Sequence, residues 1–407
     1  MNRTLIIFIF IIITAFFCQQ AFTQNKPPEV YSLDPDELMH VKDLISAKSP
    51  FIMPAYKSLI KSADKFLTKG PYSVMQKEKT PPGGDKHDYF SLSIYSWPNP
   101  DTKDGLPYIT KDGKVNPESK VGTDAGALVE MCDYVLPLAL AYYLSGDEKY
   151  SKHAAELLRT WFLEPATKMN PNFKYAEQVT GKNEGSPGGI IESRDLINVT
   201  EAAGLLEGSK SWTDSDLMGL RAWFKEYLNW LLTSENGIAE GKTKNNHLTF
   251  YKAQVVNYDL FTGSGTDANK ELENVKSLVS SQIETDGSQP LELNRTKSFN
   301  YSVFNLQAFF LLAEMGKNAG VDLYSYQTDD GRSIRKALDF IAPYVDTAKK
   351  WPYKEIGGVS EGKYWLAEIL RIVSIRFPDG NYDYLLKNNY AQSSILTKQW
   401  NLFYPEK

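Results

Sequence analysis

The amino-acid sequence predicts a large all-α domain built from antiparallel helical hairpins. About a dozen segments carry apolar residues at helical spacing, and short turns join them. Almost no segment shows the alternation of apolar and polar residues that is typical of half-buried strands. No repeat of about 34 or 40 residues recurs, so a regular solenoid is not expected. Because no Pro- or Ser-rich linker divides the chain, residues 25–407 are predicted to form one domain.

The predicted helices begin and end at recognisable capping and stop residues. Pro35 lies between two aspartates that offer caps for the first helix, and Gly70-Pro71 ends the second. Gly146 and Asp147 form a very short turn, which predicts an antiparallel hairpin between two long helices. The predicted helical segments are 35–47, 51–68, 124–145, 147–163, 190–207, 213–234, 246–261, 267–284, 300–317, 331–347, 360–376 and 380–388.

Two long stretches, 71–122 and 165–189, lack helical periodicity and are rich in Pro, Gly and Asn or Asp. Long loops in compact domains usually serve a function. The first stretch contains Tyr89, Tyr95 and Trp97, and a disordered segment rarely carries so many aromatic residues. We expect an ordered flap over a cleft, with an aromatic plug that seals the core as the alternative.

Residues 1–24 have the pattern of a secretory signal peptide. Arg3 supplies a positive start, and the apolar run 5–17 is too short to span a membrane comfortably. Cys18 raises the alternative of a lipoprotein anchor, but Phe17 is bulky where such a site takes a small residue. We therefore expect a periplasmic or secreted protein with no stable membrane insertion after signal cleavage.

Charge and cysteine content narrow the classes of function. A net charge of −5 disfavours a general nucleic-acid partner, but it leaves an anionic substrate open because local charge decides binding. After signal cleavage Cys132 is the single cysteine, so no internal disulfide is expected, and its apolar helical surroundings predict a core position. No Cys/His cluster has the spacing of a metal site, so neither a metal nor another cofactor is expected.

Two short stretches, each just before or at the start of a predicted helix, carry residue types that suit one chemistry. The first supplies Asn246 and His247, and the second supplies Arg295 and Tyr301. An amide and a guanidinium can neutralise a carboxylate, while an imidazole and a phenol can take and return a proton. This set suits β-elimination from a uronic acid better than hydrolysis, because neutralising the carboxylate acidifies the neighbouring C5 proton.

Each of these residues also has a purely structural interpretation. Asn246 could cap the helix that follows it, and His247 could be a hydrogen-bonded structural residue. Tyr301 begins an apolar helical stripe and could belong to the core, and Arg295 could pair with Glu292. The identity of the base is also open. It could be His247, or Tyr301 as a phenolate if the nearby arginine lowers its pKa.

The same stretches resemble the alginate lyase superfamily of helical-toroid polysaccharide lyases. Asn246-His247 is similar to the Asn-His pair of that family. The segment 286–305 begins Asp-Gly-Ser-Gln-Pro-Leu-Glu-Leu-Asn-Arg-Thr-Lys-Ser and resembles the family's long motif. Residues 95–100, Tyr-Ser-Trp-Pro-Asn-Pro, resemble its aromatic entry motif, and parts of 170–194 resemble a further block.

The resemblance implies an (α/α) toroid, an incomplete ring of about six or seven hairpins. It implies that His247 and Tyr301 carry the proton transfers, while Asn246 and Arg295 hold the carboxylate. The implied substrate is an anionic polysaccharide, alginate or a related 1,4-linked polyuronate, cleaved to give 4,5-unsaturated uronate ends. Together with the aromatic flap, it nominates as substrate-binding residues Gln178, Tyr89, Tyr95, Trp97, Arg194 and Glu292.

Three other functions remain open from the sequence. The chain could be a lyase for another polyuronate such as glucuronan. It could be an α/α-barrel glycoside hydrolase, which needs two carboxylates at a defined separation. It could also be a glycan-binding protein that uses the aromatic flap without chemistry. The carboxylates available to a hydrolase are Asp124, Glu192, Asp195 and Glu292.

Overall fold

The computed structural model describes residues 26–264, 267–391 and 397–406. The expected signal peptide, with Cys18, lies outside the described residues. The α-helices are α1 Pro35–Ser46, α2 Met53–Phe66, α3 Ala125–Ser145, α4 Glu148–Leu158, α5 Ile197–Leu205, α6 Asp214–Thr233, α7 Glu235–Glu240, α8 Asn246–Thr262, α9 Ala268–Gln282, α10 Pro290–Leu293, α11 Ser298–Ala319, α12 Ile334–Ile341, α13 Ser360–Arg376, α14 Tyr382–Asn389 and α15 Trp400–Phe403.

Shorter elements complete the described chain. A π-helical turn, Arg159–Leu163, extends α4. The 3₁₀ segments are Val74–Gln76, Pro117–Lys120, Pro187–Leu196 and Ala342–Val345. The strands are β1 Phe90–Leu92, β2 Ser96–Trp97, β3 Ile109–Thr110 and β4 Tyr175–Gln178.

Five helices, α3, α5, α8, α11 and α13, form the inner wall of a ring, and each packs against the next in this order. The outer helices α4, α9, α12 and α14 each pack on the inner helix that precedes them. α15 packs on α13, α1 and α2, and α2 packs on α3, so the two ends of the described chain close the ring. The predicted all-α architecture of antiparallel hairpins is confirmed.

Inner helices α8, α11 and α13 run in the same direction. Phe250 stacks on Phe304 with ring centres 4.4 Å apart, and Phe304 meets Trp365 at 5.8 Å. These residues lie within the first two turns of α8, α11 and α13 respectively. The N-termini of the three helices therefore lie at the same end of the ring, where their unpaired amides and dipoles favour negative charge.

α3 is long and apolar enough to cross a membrane by length and composition, and 56% of its most apolar window is buried inside the protein. Its apolar side chains pack against α2, α4 and α5. Cys132 on this helix is completely buried, in the core position that the sequence predicts. The hydropathy of α3 thus reflects its place in the inner wall of the ring.

The two stretches without helical periodicity contain four strands that the sequence did not predict. β1 pairs with β4 in parallel, and β2 pairs with β3 in an antiparallel hairpin. Strands of two to four residues are too short to show an alternating pattern. Tyr89 is completely buried and seals the core, as the plug interpretation predicts, whereas Tyr95 and Trp97 remain partly exposed.

The opposite end of the ring is crossed by residues 29–34, which we call the N-terminal strap. The buried carboxylate of Glu201 in α5 accepts hydrogen bonds from the backbone N–H groups of Tyr31 at 3.1 Å and Ser32 at 2.8 Å. Asn318 in α11 donates to the carbonyl oxygen of Tyr31 at 2.8 Å. The strap therefore joins two inner helices at the end away from the helix N-termini.

Asp34→Ala is expected to lower the free energy of unfolding by about 2–4 kcal/mol. The Asp34 carboxylate is buried, caps α1, and pairs with Lys317 at 2.7 Å and Arg376 at 3.1 Å. Asp36→Ala, an exposed change in the first turn of the same helix, is the matched control and should cost less than about 1 kcal/mol. Denaturant titration of both variants measures the difference.

The difference in unfolding free energy between Asp34→Ala and Asp36→Ala should be smaller at acidic pH. Burial alone would raise the pKa of Asp34, but Lys317 and Arg376, with the capped backbone amides, lower it. The stabilisation is therefore present above the carboxyl's unfolded pKa and is lost as the pH falls through the lowered folded pKa. Equal losses in the two variants at neutral pH would show that the strap contact does not contribute.

Candidate active site

His247 lies in the first turn of α8, and its ring is oriented by a carboxylate. Nδ1 lies 2.7 Å from Oε1 of Glu240, the last residue of α7. Glu240 is almost completely buried, whereas 26% of the His247 side chain is exposed. With Nδ1–H donated to the carboxylate, the lone pair of the neutral ring is on Nε2, which has no hydrogen bond within the described parts of the chain.

The charge of Glu240 also changes the basicity of His247. Burial alone would lower the pKa of this imidazole, but the hydrogen bond and negative charge of Glu240, with the nearby charge of Glu177, raise it. Neutral Nε2 is therefore available only at a higher pH than in a free imidazole. Sequence reasoning missed Glu240 because α7 is too short to show a helical period.

Asn246 is buried, and one carboxylate accepts hydrogen bonds from both its backbone and its side chain. Its backbone N–H donates to Oε1 of Glu292 and its side-chain Nδ2 donates to Oε2, both at 2.7 Å. Glu292 is 1% exposed and sits in α10, just before α11. The nomination of Glu292 as a substrate-contacting residue is therefore replaced by a positioning role, because burial and these two bonds occupy its carboxylate.

Arg295 is paired with Asp112 from the flap and not with Glu292. Its Nη2 lies 2.6 Å and its Nε 3.2 Å from Oδ1 of Asp112. Thr296 donates to the other carboxylate oxygen through its backbone N–H and its hydroxyl. Burial alone would raise the pKa of Asp112, but the bonds from Arg295 and Thr296 hold it at about 2. The structural alternative of an Arg295–Glu292 ion pair is not formed.

The phenol of Tyr301, in the first turn of α11, lies beneath Arg295. The guanidinium carbon is 3.7 Å from the ring centre, and the hydroxyl is 2.8 Å from the hydroxyl of Tyr95. Burial raises the pKa of Tyr301 well above its ordinary value, and the charge of Arg295 offsets this only in part. The resting side chain is therefore a protonated phenol.

Trp97 and Tyr95 belong to the part of the flap that covers this end of the ring. The Trp97 indole N–H donates to the carbonyl oxygen of Lys114 at 2.8 Å, and the Lys111 amine lies 5.2 Å from its ring centre. The flap thus brings Tyr95, the residue before β2, against Tyr301, and holds Trp97 of β2 beside a lysine. These two residues are placed as the sequence predicts for a flap.

The remaining nominated residues lie farther from the four central groups. Tyr89 is buried and donates to Glu192 at 2.9 Å, so it does not face a cleft. Arg194 stacks over Phe304 at 5.4 Å, one turn of α11 beyond Tyr301. Gln178 lines a cavity of about 340 Å³ between β4 and the flap, with Tyr108 among its walls. None of the three touches His247 or Tyr301.

The carboxylates that a hydrolase would need are engaged elsewhere. Asp124 is buried and pairs with Lys77 at 3.1 Å, and burial raises the pKa of Asp124 to about 7. Glu192 is partly buried and accepts hydrogen bonds from two hydroxyl groups, and its desolvation raises its pKa to about 8. Asp195 lies 3.6 Å from Arg194.

Among the described residues, no group of three or more His, Cys, Asp or Glu could hold a metal ion.

The sequence and the fold were compared with known proteins. The alginate lyase family profile matches residues 73–351. The crystal structure of an alginate lyase from Bacteroides ovatus is 37% identical, with 93% of this chain and 100% of that chain covered and a TM-score of 0.89. A search of curated proteins gave no match.

More distant structures share the fold. Alginate lyase A1-III from Sphingomonas species A1 is 14% identical, with 88% of this chain and 99% of that chain covered and a TM-score of 0.52. A structure of A1-III complexed with a tetrasaccharide is 15% identical, covers 86% and 94% of the two chains, and has a TM-score of 0.55.

A helical ring with an Asn–His–Arg–Tyr cluster at the end where the inner helices begin defines a polysaccharide lyase of the helical-toroid class. The chain belongs to the alginate lyase family. Its helical toroid is the fold that the sequence resemblance implied.

Glu240→Gln is expected to lower the pKa of His247, because it removes the negative charge that stabilises the imidazolium. An NMR titration of the imidazole C–H protons measures this directly, since the chain has 4 His. Glu156→Gln is the matched control, because Glu156 lies 3.2 Å from Nδ1 of the separate His153. An unchanged His247 titration in Glu240→Gln would show that the contact does not set the basicity of the ring.

Proposed function

We propose that this lyase cleaves alginate, a 1,4-linked uronate polymer, by β-elimination and leaves 4,5-unsaturated uronate ends. The observation that carries the proposal is the grouping of Arg295, Tyr301 and His247 at one end of the ring, with the imidazole held through Nδ1. Family membership and 37% identity to an alginate lyase support alginate as the substrate.

Arg295 and Asn246 are suited to neutralise the carboxylate of the sugar at the cleavage point. Asp112 occupies the Nε–Nη2 edge of the guanidinium, which leaves Nη1 without a hydrogen bond among the described residues. The second N–H of the Asn246 amide also has no hydrogen bond among the described residues, although the side chain is only 1% exposed. Donors fixed in advance in this way stabilise the enolate-like charge without having to reorganise.

His247 and Tyr301 are suited to the two proton transfers. We assign the removal of the C5 proton to Nε2 of His247, because Nδ1 is tied to Glu240 and the imidazolium that forms lies beside that carboxylate. We assign the protonation of the leaving O4 to Tyr301, because its raised pKa keeps the phenol protonated.

One observation favours a second route in which Tyr301 performs both transfers. The guanidinium of Arg295 lies over the ring of Tyr301, and its positive charge lowers the pKa of the phenol and so stabilises a phenolate. In that route His247 serves as an additional donor to the carboxylate. The two routes differ in which residue is needed to break the C5–H bond.

Arg295→Ala is expected to lower kcat on free polyuronate by about 10²–10³-fold, as the loss of one oxyanion-type donor does elsewhere. Ultraviolet absorbance of the conjugated alkene measures turnover and separates a lyase from a hydrolase or a binding protein. Arg295→Lys is the matched control and should restore little, because an ammonium cannot reproduce a planar fork.

Methyl esterification of the polymer removes the charge that Arg295 would bind. The ratio of wild-type kcat to Arg295→Ala kcat should then fall close to one. An equal advantage on free and esterified polymer would rule out carboxylate neutralisation by this residue. Comparing alginate with glucuronan in the same assay tests the substrate.

Tyr301→Phe is expected to lower turnover by about 10²-fold or more while exchange of the C5 proton with deuterated solvent continues. The reason is that His247 can still remove the C5 proton although O4 can no longer be protonated. NMR of a recovered uronate oligosaccharide measures the exchange. Loss of both turnover and exchange would assign the base to Tyr301 and select the second route.

A further inference from the structure

Glu177 is held in a backbone conformation that non-glycine residues rarely adopt. Its φ is 49°, and within the described ranges Lys48 is the one other non-glycine residue with a positive φ. The pairing of β1 with β4 is irregular here, because β4 has one more residue than β1 between Phe90↔Tyr175 and Leu92↔Gln178. Such bulges re-aim a side chain and are common beside active sites.

The carboxylate of Glu177 lies near His247, whose charge acts on it. A Cβ built on Gly188 would lie 3.4 Å from Oε2 of Glu177 and 3.4 Å from Cε1 of His247, so both groups border this glycine. Residues Gly188 and Gly189 leave room for the bulge, since a Cβ at Gly189 would lie 2.6 Å from Ala176. Both side chains keep partial access to solvent.

Glu177 differs from the other carboxylates around the site because its oxygens accept no hydrogen bond from the described parts of the chain. Glu240, Glu292, Glu192 and Asp112 each accept a hydrogen bond from a neighbouring side chain. The Glu177 carboxylate accepts none from any residue that the structure describes. Glycine at position 177 would relieve this strain, so the strained Glu177 side chain is a candidate for a functional role.

Charge restricts what this carboxylate can bind. A polyuronate carries a carboxylate on every sugar, and a second carboxylate in the cleft repels it. Glu177 therefore suits the edge of the sugar that presents hydroxyl groups, while Arg295 and Asn246 suit the edge that presents the carboxylate. Two neighbouring hydroxyls can donate to the two oxygens of one carboxylate, which gives strong, oriented bonds.

We propose that Glu177 is a specificity-determining residue that accepts hydrogen bonds from the free ring hydroxyls of the uronate bound beside His247. The assignment rests on the proposed function, since it takes a uronate as the ligand. An O-acylated sugar has lost the donor and carries added bulk, so it leaves Glu177 unpaired. Sites built to hydrogen-bond a hydroxyl discriminate strongly against analogues that lack it.

The test uses one uronate polymer in two forms, O-acetylated on its ring hydroxyls and deacetylated. Wild type should prefer the deacetylated form in kcat/KM by about 10²-fold or more. Glu177→Ala should lose activity mainly on the deacetylated form, so that its preference falls to about 10-fold or less. Glu184→Gln, an exposed change in the same segment, is the matched control and should keep the full preference.

Glu177→Gly is a second variant that controls for misfolding of Glu177→Ala. Glycine relieves the positive φ, so this variant should unfold at a higher temperature than wild type and still lose the preference. A wild-type preference that survives in both Glu177→Ala and Glu177→Gly would overturn the proposal.

A second outcome would also overturn it. The groups that face Glu177 are His247, Glu240 and Glu192. If Glu177 serves only to charge His247, the variants lose activity equally on both polymers and the acidic limb of the pH profile moves to lower pH. Failure of the proposed function is distinguishable from both outcomes, because wild type would then release no unsaturated product from either polymer.

Discussion

The packing of α8 against α11 is the contact on which the site depends. It brings Asn246 and His247 at the start of one helix next to Arg295 and Tyr301 around the start of the other. Directly below, Phe250 and Phe304 stack at 4.4 Å and fix the separation and register of the two helices. A shift of one helix turn, about 5.4 Å, would separate Asn246 and His247 from Arg295 and Tyr301.

Three carboxylates, two of them buried, hold the side chains of this site in place. Glu240 orients His247, Glu292 holds Asn246, and Asp112 fixes one edge of Arg295. Each is a charge-assisted bond in a partly desolvated setting, where such bonds are strong and geometrically specific. The acidic residues thus hold the donor groups of Asn246 and Arg295 rigidly, and the parallel helix N-termini add a field that favours negative charge.

The two ends of the ring are built for different purposes. At the end with the helix N-termini, the flap contributes Tyr95 and Asp112, so a segment far away in sequence completes the site. At the other end the N-terminal strap spans the inner helices through Glu201 and Asp34, both buried. The strap links the inner helices at one end, and the flap adds Tyr95 and Asp112 to the candidate site at the other.

The sequence by itself predicted the helical content, most helix positions and the four residues that the structure brings together, because capping residues, apolar periodicity and family motifs are local in the chain. It missed the short strands and α7, α10 and α15, since elements of two to six residues show no period. Only the tertiary structure shows that Glu240 and Asp112 bond to His247 and Arg295. It also shows that Glu292 and Tyr89 are buried. It also revealed the strained Glu177. Those facts depend on contacts between segments up to 183 residues apart, as between Asp112 and Arg295, and no local pattern records them.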